Sequence, residues 1–276
     1  MKNNRICFIG CGNMGRSLIG GLIANGYMPK NICGADPAKE QRQKLRALFD
    51  IEVFQQNIDA IKNADMIVLA VKPQLMEATV KGIAAEFDPA RPLIISIAAG
   101  IRLSAISAWL QQDLAIVRVM PNTPALIQAG ATALYANDKT NTAQRESAEM
   151  IMRSVGLTVW LDDESLMDVV TALSGSGPAY FFLLMEIMEK AAVKMGLGQK
   201  QARLLTLETA FGAAKMAIES ESDAATLRRQ VTSPGGTTEQ ALNVLTEANI
   251  ETLFHAALTA AKQRSIELAD TFGGKK

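Results

Sequence analysis

Short apolar runs separated by longer amphipathic stretches fill roughly the first 160 residues. Continuous apolar runs predict strands buried on both faces, and the stretches between them are long enough for helices. The predicted strands are residues 6–9, 32–35, 51–54, 66–71, 93–97 and 116–120, with further strands at an edge at 132–135 and 158–160. The predicted helices here are residues 14–25 and 38–49. This alternation predicts a parallel sheet covered by helices on both faces.

The pattern changes after residue 163, where the strand signals stop. A long helix is predicted at residues 178–195, with Pro178 in its first turn and Gly196 just past its end. Apolar side chains occupy nearly every face of this helix, so it must be buried. Small residues that permit close helix approach follow in the next helix: Ala210, Gly212, Ala213, Ala214 and Ala217. We therefore predict a helical domain whose core a second subunit completes; the alternative is a self-contained helical bundle.

Composition and charge narrow the classes of function. The chain has 276 residues, 49% of them apolar, which allows two domains and excludes wholesale disorder. Its 28 basic and 28 acidic side chains cancel, whereas proteins that bind nucleic acid or membrane surfaces usually carry a basic excess. One histidine and three cysteines exclude a histidine-rich metal site and a disulfide framework, and we predict no metal site. Without a signal-peptide pattern or a long uninterrupted apolar span, we expect a soluble, cytoplasmic protein.

A glycine-rich segment joins the first predicted strand to the first predicted helix. It reads Gly10-Cys11-Gly12-Asn13-Met14-Gly15, and this spacing between a strand and a helix is typical of dinucleotide-binding folds. Gly10 permits the tight turn, Gly12 lets a pyrophosphate approach the backbone, and Gly15 lets helix and strand pack closely. N–H groups at the helix start would hold the phosphates. A glycine-rich turn without a ligand is the alternative.

The end of the second predicted strand bears on the choice of cofactor. Asp36 lies 21 residues after Gly15, where a carboxylate accepts hydrogen bonds from the adenosine ribose hydroxyls and repels a 2′-phosphate. Lys39 and Arg42 follow one turn into the next helix, where they could meet that phosphate, although a solvated helix face is the simpler interpretation. These residues predict NADPH or NADH, with a slight lean towards NADH.

A second turn motif lies in the predicted helical domain. Residues 233–236 read Ser-Pro-Gly-Gly, and Thr237, Thr238 and Glu239 supply cap and first-turn residues of a new helix. Several backbone N–H groups beside two hydroxyls would suit a small carboxylate or phosphate. Taken alone, the segment is more simply a well-capped turn between helices.

Six blocks in order along the whole chain resemble the pyrroline-5-carboxylate reductase family, which catalyses the last step of proline synthesis. The blocks are residues 8–15, 70–73, 96–100, 118–124, 173–180 and 227–242. The resemblance implies an N-terminal Rossmann-type domain over residues 1–163 and an all-α domain for dimerisation and substrate binding over residues 164–276. Asp36 is the main departure, since many members have a small or hydroxyl residue near there and favour NADPH.

The resemblance also implies an activity and an assembly. NADPH or NADH would transfer a hydride to 1-pyrroline-5-carboxylate, a cyclic imine, to give L-proline. Each active site of a homodimer would borrow the loop at residues 233–238 from the partner subunit, and such dimers often assemble into a ring of five.

Individual site residues follow from the same resemblance. The cofactor-binding residues would be Gly10, Cys11, Gly12, Asn13, Met14, Gly15, Asp36, Asn57, Ala70, Val71, Lys72, Pro73, Ala98 and Ala99. The substrate-binding residues would be Ser233, Gly235, Gly236, Thr237 and Thr238. Thr238 is the predicted catalytic residue, whose hydroxyl reaches the ring nitrogen as a positioner or a relay from water. A protonated imine already accepts hydride well, so a strong acid is not required.

Other functions remain open from the residues alone. A related imine reductase or a β-hydroxyacid dehydrogenase would share the two-domain plan, but the latter needs a lysine early in the 178–195 helix, where the first lysine is Lys190. A non-catalytic nucleotide-sensing protein would also keep the fold, although retention of the 233–238 loop counts against it. Glu164 is expected to be a helix-start charge or a substrate contact, and Cys7 and Cys33 to lie in the core.

Overall fold

A computed structural model describes residues 4–86 and 92–273 of the chain. The described chain divides into two compact units, of which the first comprises the residues up to Ser176 and those from Ala260 onwards. The second unit is Gly177–Thr259. This division by compactness differs from the domain boundary expected after residue 163, which stays a prediction.

The first unit is built on one sheet of eight strands. The strands are β1 Ile6–Ile9, β2 Ile32–Ala35, β3 Glu52–Phe54, β4 Met66–Leu69, β5 Leu93–Ser96, β6 Ile116–Met120, β7 Gly130–Ala136 and β8 Gly156–Trp160. Their spatial order is β3-β2-β1-β4-β5-β6-β7-β8. Every residue of β1, β2, β4 and β5 is buried, which confirms the predicted coverage of both sheet faces.

One strand pair departs from the predicted parallel sheet. β6 and β7 are antiparallel, with Val117 opposite Ala136 and Met120 opposite Ala133. Only residues 121–129 separate these strands, and they contain the short 3₁₀ helix Thr123–Ile127. A parallel connection needs roughly a dozen residues or more. The short link therefore makes the chain reverse, so this pair is the antiparallel exception in a sheet that is otherwise parallel, as predicted.

Twelve α-helices lie in the described residues. They are α1 Asn13–Ala24, α2 Lys39–Phe49, α3 Asn57–Ile61, α4 Pro73–Ile83, α5 Leu103–Leu110, α6 Thr142–Arg153, α7 Leu166–Val170, α8 Gly177–Lys194, α9 Gln199–Glu219, α10 Ala224–Gln230, α11 Thr237–Glu247 and α12 Ile250–Phe272. A π-helical turn, Thr171–Gly175, joins α7 to α8. The three predicted helices are present within one residue at each end.

Two apolar clusters cover the two faces of the sheet. Phe8 and Ile95 belong to one cluster with Leu18 of α1, whereas Ile9 belongs to the other with Ile106 of α5. Neighbouring residues of β1 thus point to opposite faces, as the pleat requires. Cys7 and Cys33 are fully buried, which confirms their predicted core positions. This packing makes the sheet a rigid platform for the loops at its edges.

The second unit carries large apolar side chains on its surface. In α8, Phe181 is 64% exposed and Phe182 63%, and in α9 Phe211 is 64% exposed. Exposed apolar surface on this scale marks an interaction site. It argues against a self-contained bundle and fits the predicted second subunit.

Among the residues that the structure describes, one helical stretch, Leu166–Lys194, is by length and composition long and apolar enough to cross a membrane, with a mean hydropathy of 1.2. Such a stretch is weak evidence for a membrane span, because a helix at a subunit interface has the same composition.

Candidate active site

The loops predicted to bind the cofactor meet at one edge of the sheet. β1, β2, β4 and β5 run parallel, so their carboxyl ends lie side by side. Chain order changes direction between β1 and β4, which is where open α/β sheets form a ligand crevice. The structure thereby brings together residues 10–15, Asp36, residues 70–73 and residues 98–99.

The glycine-rich loop has the backbone shape that a bound pyrophosphate needs. Gly10 has φ 88°, and a Cβ there would lie 2.7 Å from the carbonyl oxygen of Ala70. Apart from Gly12 itself and its neighbours in the chain, no heavy atom lies within 4 Å of a Cβ built on Gly12, so that residue borders open space. The loop thus packs tightly against the end of β4 and leaves room at the start of α1.

The start of α1 presents unpaired N–H groups to this space. Its N-cap residue is Gly12, which has no side chain to accept a hydrogen bond, and the first turn contains no acidic residue. The N–H groups of Asn13, Met14 and Gly15 have no carbonyl partner inside the helix. They form a positive helix end suited to an anion, so these residues fit the pyrophosphate of a dinucleotide.

Asp36 is tied to the glycine-rich loop. One carboxylate oxygen accepts the Cys11 N–H at 3.0 Å, and the other accepts the Ala38 N–H at 2.9 Å. Arg42 donates to the carbonyl oxygens of Asp36 and Pro37, at 2.7 and 2.8 Å, so it braces this turn and is not a simple solvated side chain. A fixed negative charge therefore stands at the carboxyl end of β2.

Cys11 contributes only its backbone to the loop. Its side chain is 1% exposed, and its sulfur fills the space beside Gly34, where a Cβ would lie 2.9 Å away. Burial, and then the charge of Asp36, raise the pKa of the Cys11 thiol to about 12. The thiol is therefore neutral and unreactive near pH 7.

The remaining predicted cofactor residues flank the same edge. Lys72 is the exposed N-cap of α4, and Pro73 is the first residue of that helix. Asn57 is half-buried at the start of α3, after β3. Ala98 is 5% exposed, so its side chain packs in the core, and the half-buried Ala99 is the residue that borders the edge.

Glu164, whose side chain is 24% exposed, forms an ion pair with a buried arginine. Its Oε1 lies 2.9 Å from Nη1 of Arg118, a residue of β6 that is 4% exposed. The same oxygen accepts the Leu103 N–H at 2.9 Å, at the start of α5. Glu164 is thus a helix-start charge, as one sequence interpretation held, although the helix it caps is α5. These bonds give it a structural role, which argues against the predicted substrate contact.

A polar network at the end of β6 was not anticipated from the sequence. Asn122 accepts the Ala131 N–H at 2.9 Å and donates to the Ser174 hydroxyl at 3.4 Å. A Cβ on Gly175 would lie 2.4 Å from the terminal carbon of Met120, so the π-helical turn packs directly on β6. π-Helical turns are frequent at functional sites. Two of the six sequence blocks, 118–124 and 173–180, therefore meet here.

The predicted substrate loop lies in the second unit. α11 begins at Thr237 with Gly236 as its N-cap, and Gly235 has φ 74°. The Gly236 N–H donates to the Ser233 carbonyl at 3.0 Å, and the Gly235 N–H donates to the Glu239 carboxylate at 2.8 Å. Both N–H groups thus already have acceptors within residues 233–239, which counts against the predicted direct role of Gly235 and Gly236 in binding the substrate carboxylate. Those of Thr237 and Thr238 head the helix without a capping side chain.

Two family models match the chain in successive regions. One, described as NADP oxidoreductase coenzyme F420-dependent, matches residues 5–100. The other, described as pyrroline-5-carboxylate reductase dimerisation, matches residues 164–268. The second match covers the apolar surface of α8 and α9 and supports a homodimer.

Proteins that are similar to this chain over its full length are named pyrroline-5-carboxylate reductase. The pyrroline-5-carboxylate reductase of Pseudomonas aeruginosa is 51% identical over 273 residues, which cover 99% of this chain and 100% of that protein. The structure is similar to that of the enzyme from Coxiella burnetii, with a TM-score of 0.93 and 44% identity over 97% of this chain and 99% of that one. It is also similar to the Plasmodium falciparum enzyme with NADP bound, with a TM-score of 0.86 and 29% identity over 98% and 99% of the two chains.

The fold, the glycine-rich loop and the similar proteins all point to the same enzyme family. The Rossmann-type sheet with its open glycine-rich loop accounts for an NAD(P)H-dependent oxidoreductase, and the apolar helical unit accounts for a dimer. The chain belongs to the pyrroline-5-carboxylate reductase family.

Proposed function

We propose that this protein reduces 1-pyrroline-5-carboxylate to L-proline, with NADH or NADPH as the hydride donor. The open space at Gly12, at the head of α1 and beside the fixed charge of Asp36, is the observation that carries the proposal. The test is the loss of reduced-nicotinamide absorbance with 1-pyrroline-5-carboxylate as substrate, run with each cofactor. Absence of turnover with both would refute the proposal.

The chain's own residues orient the reactants. The N–H groups at the start of α1 would hold the pyrophosphate, and Asp36 would accept hydrogen bonds from the adenosine ribose. The chemistry that reduced nicotinamide would supply when bound is hydride transfer to the imine carbon. The N–H groups of Thr237 and Thr238 and the exposed hydroxyl of Ser233 bind the substrate carboxylate. The Thr238 hydroxyl holds the ring nitrogen and relays a proton to it from water.

We also propose the finer points of assembly and location. The 233–238 loop of one subunit serves the cofactor site of its partner, and the dimers form a ring of five in the cytoplasm. The exposed apolar side chains of α8 and α9 support an interface between subunits, because a single subunit leaves them uncovered. Mass photometry at several protein concentrations tests the ring; dimers alone at micromolar concentration would refute it.

The first prediction concerns the Thr238 hydroxyl. Thr238→Val keeps the shape of the side chain but removes the hydrogen bond to the reacting nitrogen. We expect kcat/KM to fall roughly ten- to a hundred-fold, which corresponds to about 1–3 kcal/mol. Steady-state kinetics on the folded variant provide the measurement, and unchanged kinetics would exclude this role.

The second prediction concerns cofactor choice. The Asp36 carboxylate should repel a 2′-phosphate, so the wild-type protein should have the higher kcat/KM with NADH. Asp36→Asn removes the charge and keeps the shape. It should raise the NADPH to NADH ratio of kcat/KM by about tenfold or more, because like charges in contact cost more than the ~1.4 kcal/mol that corresponds to tenfold. Asp138→Asn, an exposed carboxylate elsewhere in the first unit, is the control. A wild-type preference for NADPH that Asp36→Asn leaves unchanged would contradict this assignment.

A further inference from the structure

Glu239 holds the turn that precedes α11. It is the third residue of this helix, and its Oε2 accepts the Gly235 N–H at 2.8 Å. In the described part of the chain, this is the one side-chain hydrogen bond that reaches residues 233–236. The turn's other internal bond runs from the Gly236 N–H to the Ser233 carbonyl.

The turn needs such a restraint. Gly235 has φ 74°, and glycine moves between left-handed and other conformations at little cost. Gly236, as the N-cap, offers no side chain to fix the head of α11. The Glu239 side chain supplies the restraint from inside the helix, because its Oε2 accepts the Gly235 N–H.

We propose that Glu239 is a positioning residue for substrate binding. By holding the Gly235 N–H, it keeps the turn in the shape that presents the Ser233 hydroxyl and the Thr237 and Thr238 N–H groups to the substrate carboxylate. The inference rests on the proposed function of the 233–238 loop. It also removes the Gly235 N–H from the set of direct substrate contacts, since a carboxylate of the chain already occupies it.

On this proposal, the effect of Glu239 on substrate binding depends on an acceptor oxygen and on a side chain long enough to place it near the Gly235 N–H. Glutamine keeps the acceptor oxygen and the side-chain length but removes the charge. Aspartate keeps the charge and the preference for the helix start but is one methylene shorter. Alanine removes the acceptor altogether. Comparison of the three separates the hydrogen bond from the charge and from a general effect on the helix.

The experiment measures kcat, the KM for 1-pyrroline-5-carboxylate and the KM for NADH in Glu239→Ala, Glu239→Gln and Glu239→Asp. Glu247→Ala, at the exposed far end of the same helix, is the matched control. We expect the Ala and Asp variants to raise the substrate KM about tenfold, equivalent to about 1.4 kcal/mol. The KM for NADH should stay within about twofold of wild type, and the Gln variant should stay close to wild type in every constant.

Each contrary outcome has a distinct meaning. An unchanged substrate KM in the Ala and Asp variants overturns the inference, and so does a Gln variant as impaired as the Ala variant, because the charge would then be what matters. A lower KM in the Ala variant also overturns it, since Glu239 would then compete with substrate for the Gly235 N–H. If Ser233→Ala and Thr238→Val leave all constants unchanged, the loop is not the substrate site, and the proposed function of the loop fails independently of Glu239.

Discussion

Replacement of Glu164 by alanine should lower the free energy of unfolding by about 3–5 kcal/mol. Arg118 is 4% exposed and would lose the carboxylate that lies 2.9 Å from its Nη1. The Leu103 N–H at the head of α5 would lose its acceptor in the same change. A buried charge left without a partner is much more destabilising than the loss of a surface ion pair, which is worth about 0–1 kcal/mol.

Urea denaturation at a fixed protomer concentration measures this effect, because dimerisation makes apparent stability concentration-dependent. Glu146→Ala, which removes an exposed carboxylate from α6, is the matched control and should stay within about 0.5 kcal/mol of wild type. The double replacement Arg118→Met with Glu164→Leu should recover most of the loss, because no unpaired charge remains buried. A loss below about 1 kcal/mol in Glu164→Ala would mean that water or another group replaces the carboxylate.

The second large effect is expected at Gly10. Gly10→Ala places a methyl group 2.7 Å from the Ala70 carbonyl oxygen, in a backbone conformation of φ 88°. The left-handed conformation and the overpacking together should lower the free energy of unfolding by about 2–5 kcal/mol. Cofactor binding should be lost with the shape of the loop. The measurement is urea denaturation together with NADH titration by fluorescence.

Gly12→Ala, in the same loop, provides the contrast. A Cβ at Gly12 has no heavy atom within 4 Å, so stability should change by less than about 0.5 kcal/mol. Its affinity for NADH should nevertheless fall at least about tenfold, because the methyl group would occupy the space needed for close approach of the pyrophosphate. If both variants lose stability equally, or if Gly12→Ala binds NADH normally, the assignment of this space to the cofactor is wrong.

Sequence patterns predict the parts of the fold that repeat a local rule. β1, β2 and β6 begin and end as predicted, because buried parallel strands read as unbroken apolar runs. The predictions for β7 and β8 begin two residues too late. Each strand begins at a glycine, which does not extend the apolar run from which a strand is predicted. α6 was missed, although Asn141 and Gln144 form a capping box that is readable from the sequence.

For the candidate site too, features within one contiguous segment are predictable from the sequence, whereas contacts between distant residues are not. Spacing alone predicts the glycine-rich loop and Asp36 as cofactor residues, because a strand, a turn and a helix are contiguous in the chain. The bonds from the Cys11 N–H to Asp36 and from Arg118 to Glu164 join residues 25 and 46 positions apart. Such contacts depend on how strands are ordered in the sheet, which no local pattern encodes. The bond from Gly235 to Glu239 is local, but it depends on a left-handed glycine whose conformation the sequence does not specify.

The hydrogen bond between Asp36 and the Cys11 N–H has a consequence for protein engineering. The residue that we propose discriminates between the two cofactors also accepts a hydrogen bond from the loop that we propose binds the pyrophosphate they share. An exchange at position 36 that admits NADPH but removes this acceptor should therefore weaken the binding of both cofactors, so that selectivity is gained at the cost of absolute affinity. A productive switch needs a side chain at position 36, or a second change nearby, that keeps an acceptor for the Cys11 N–H.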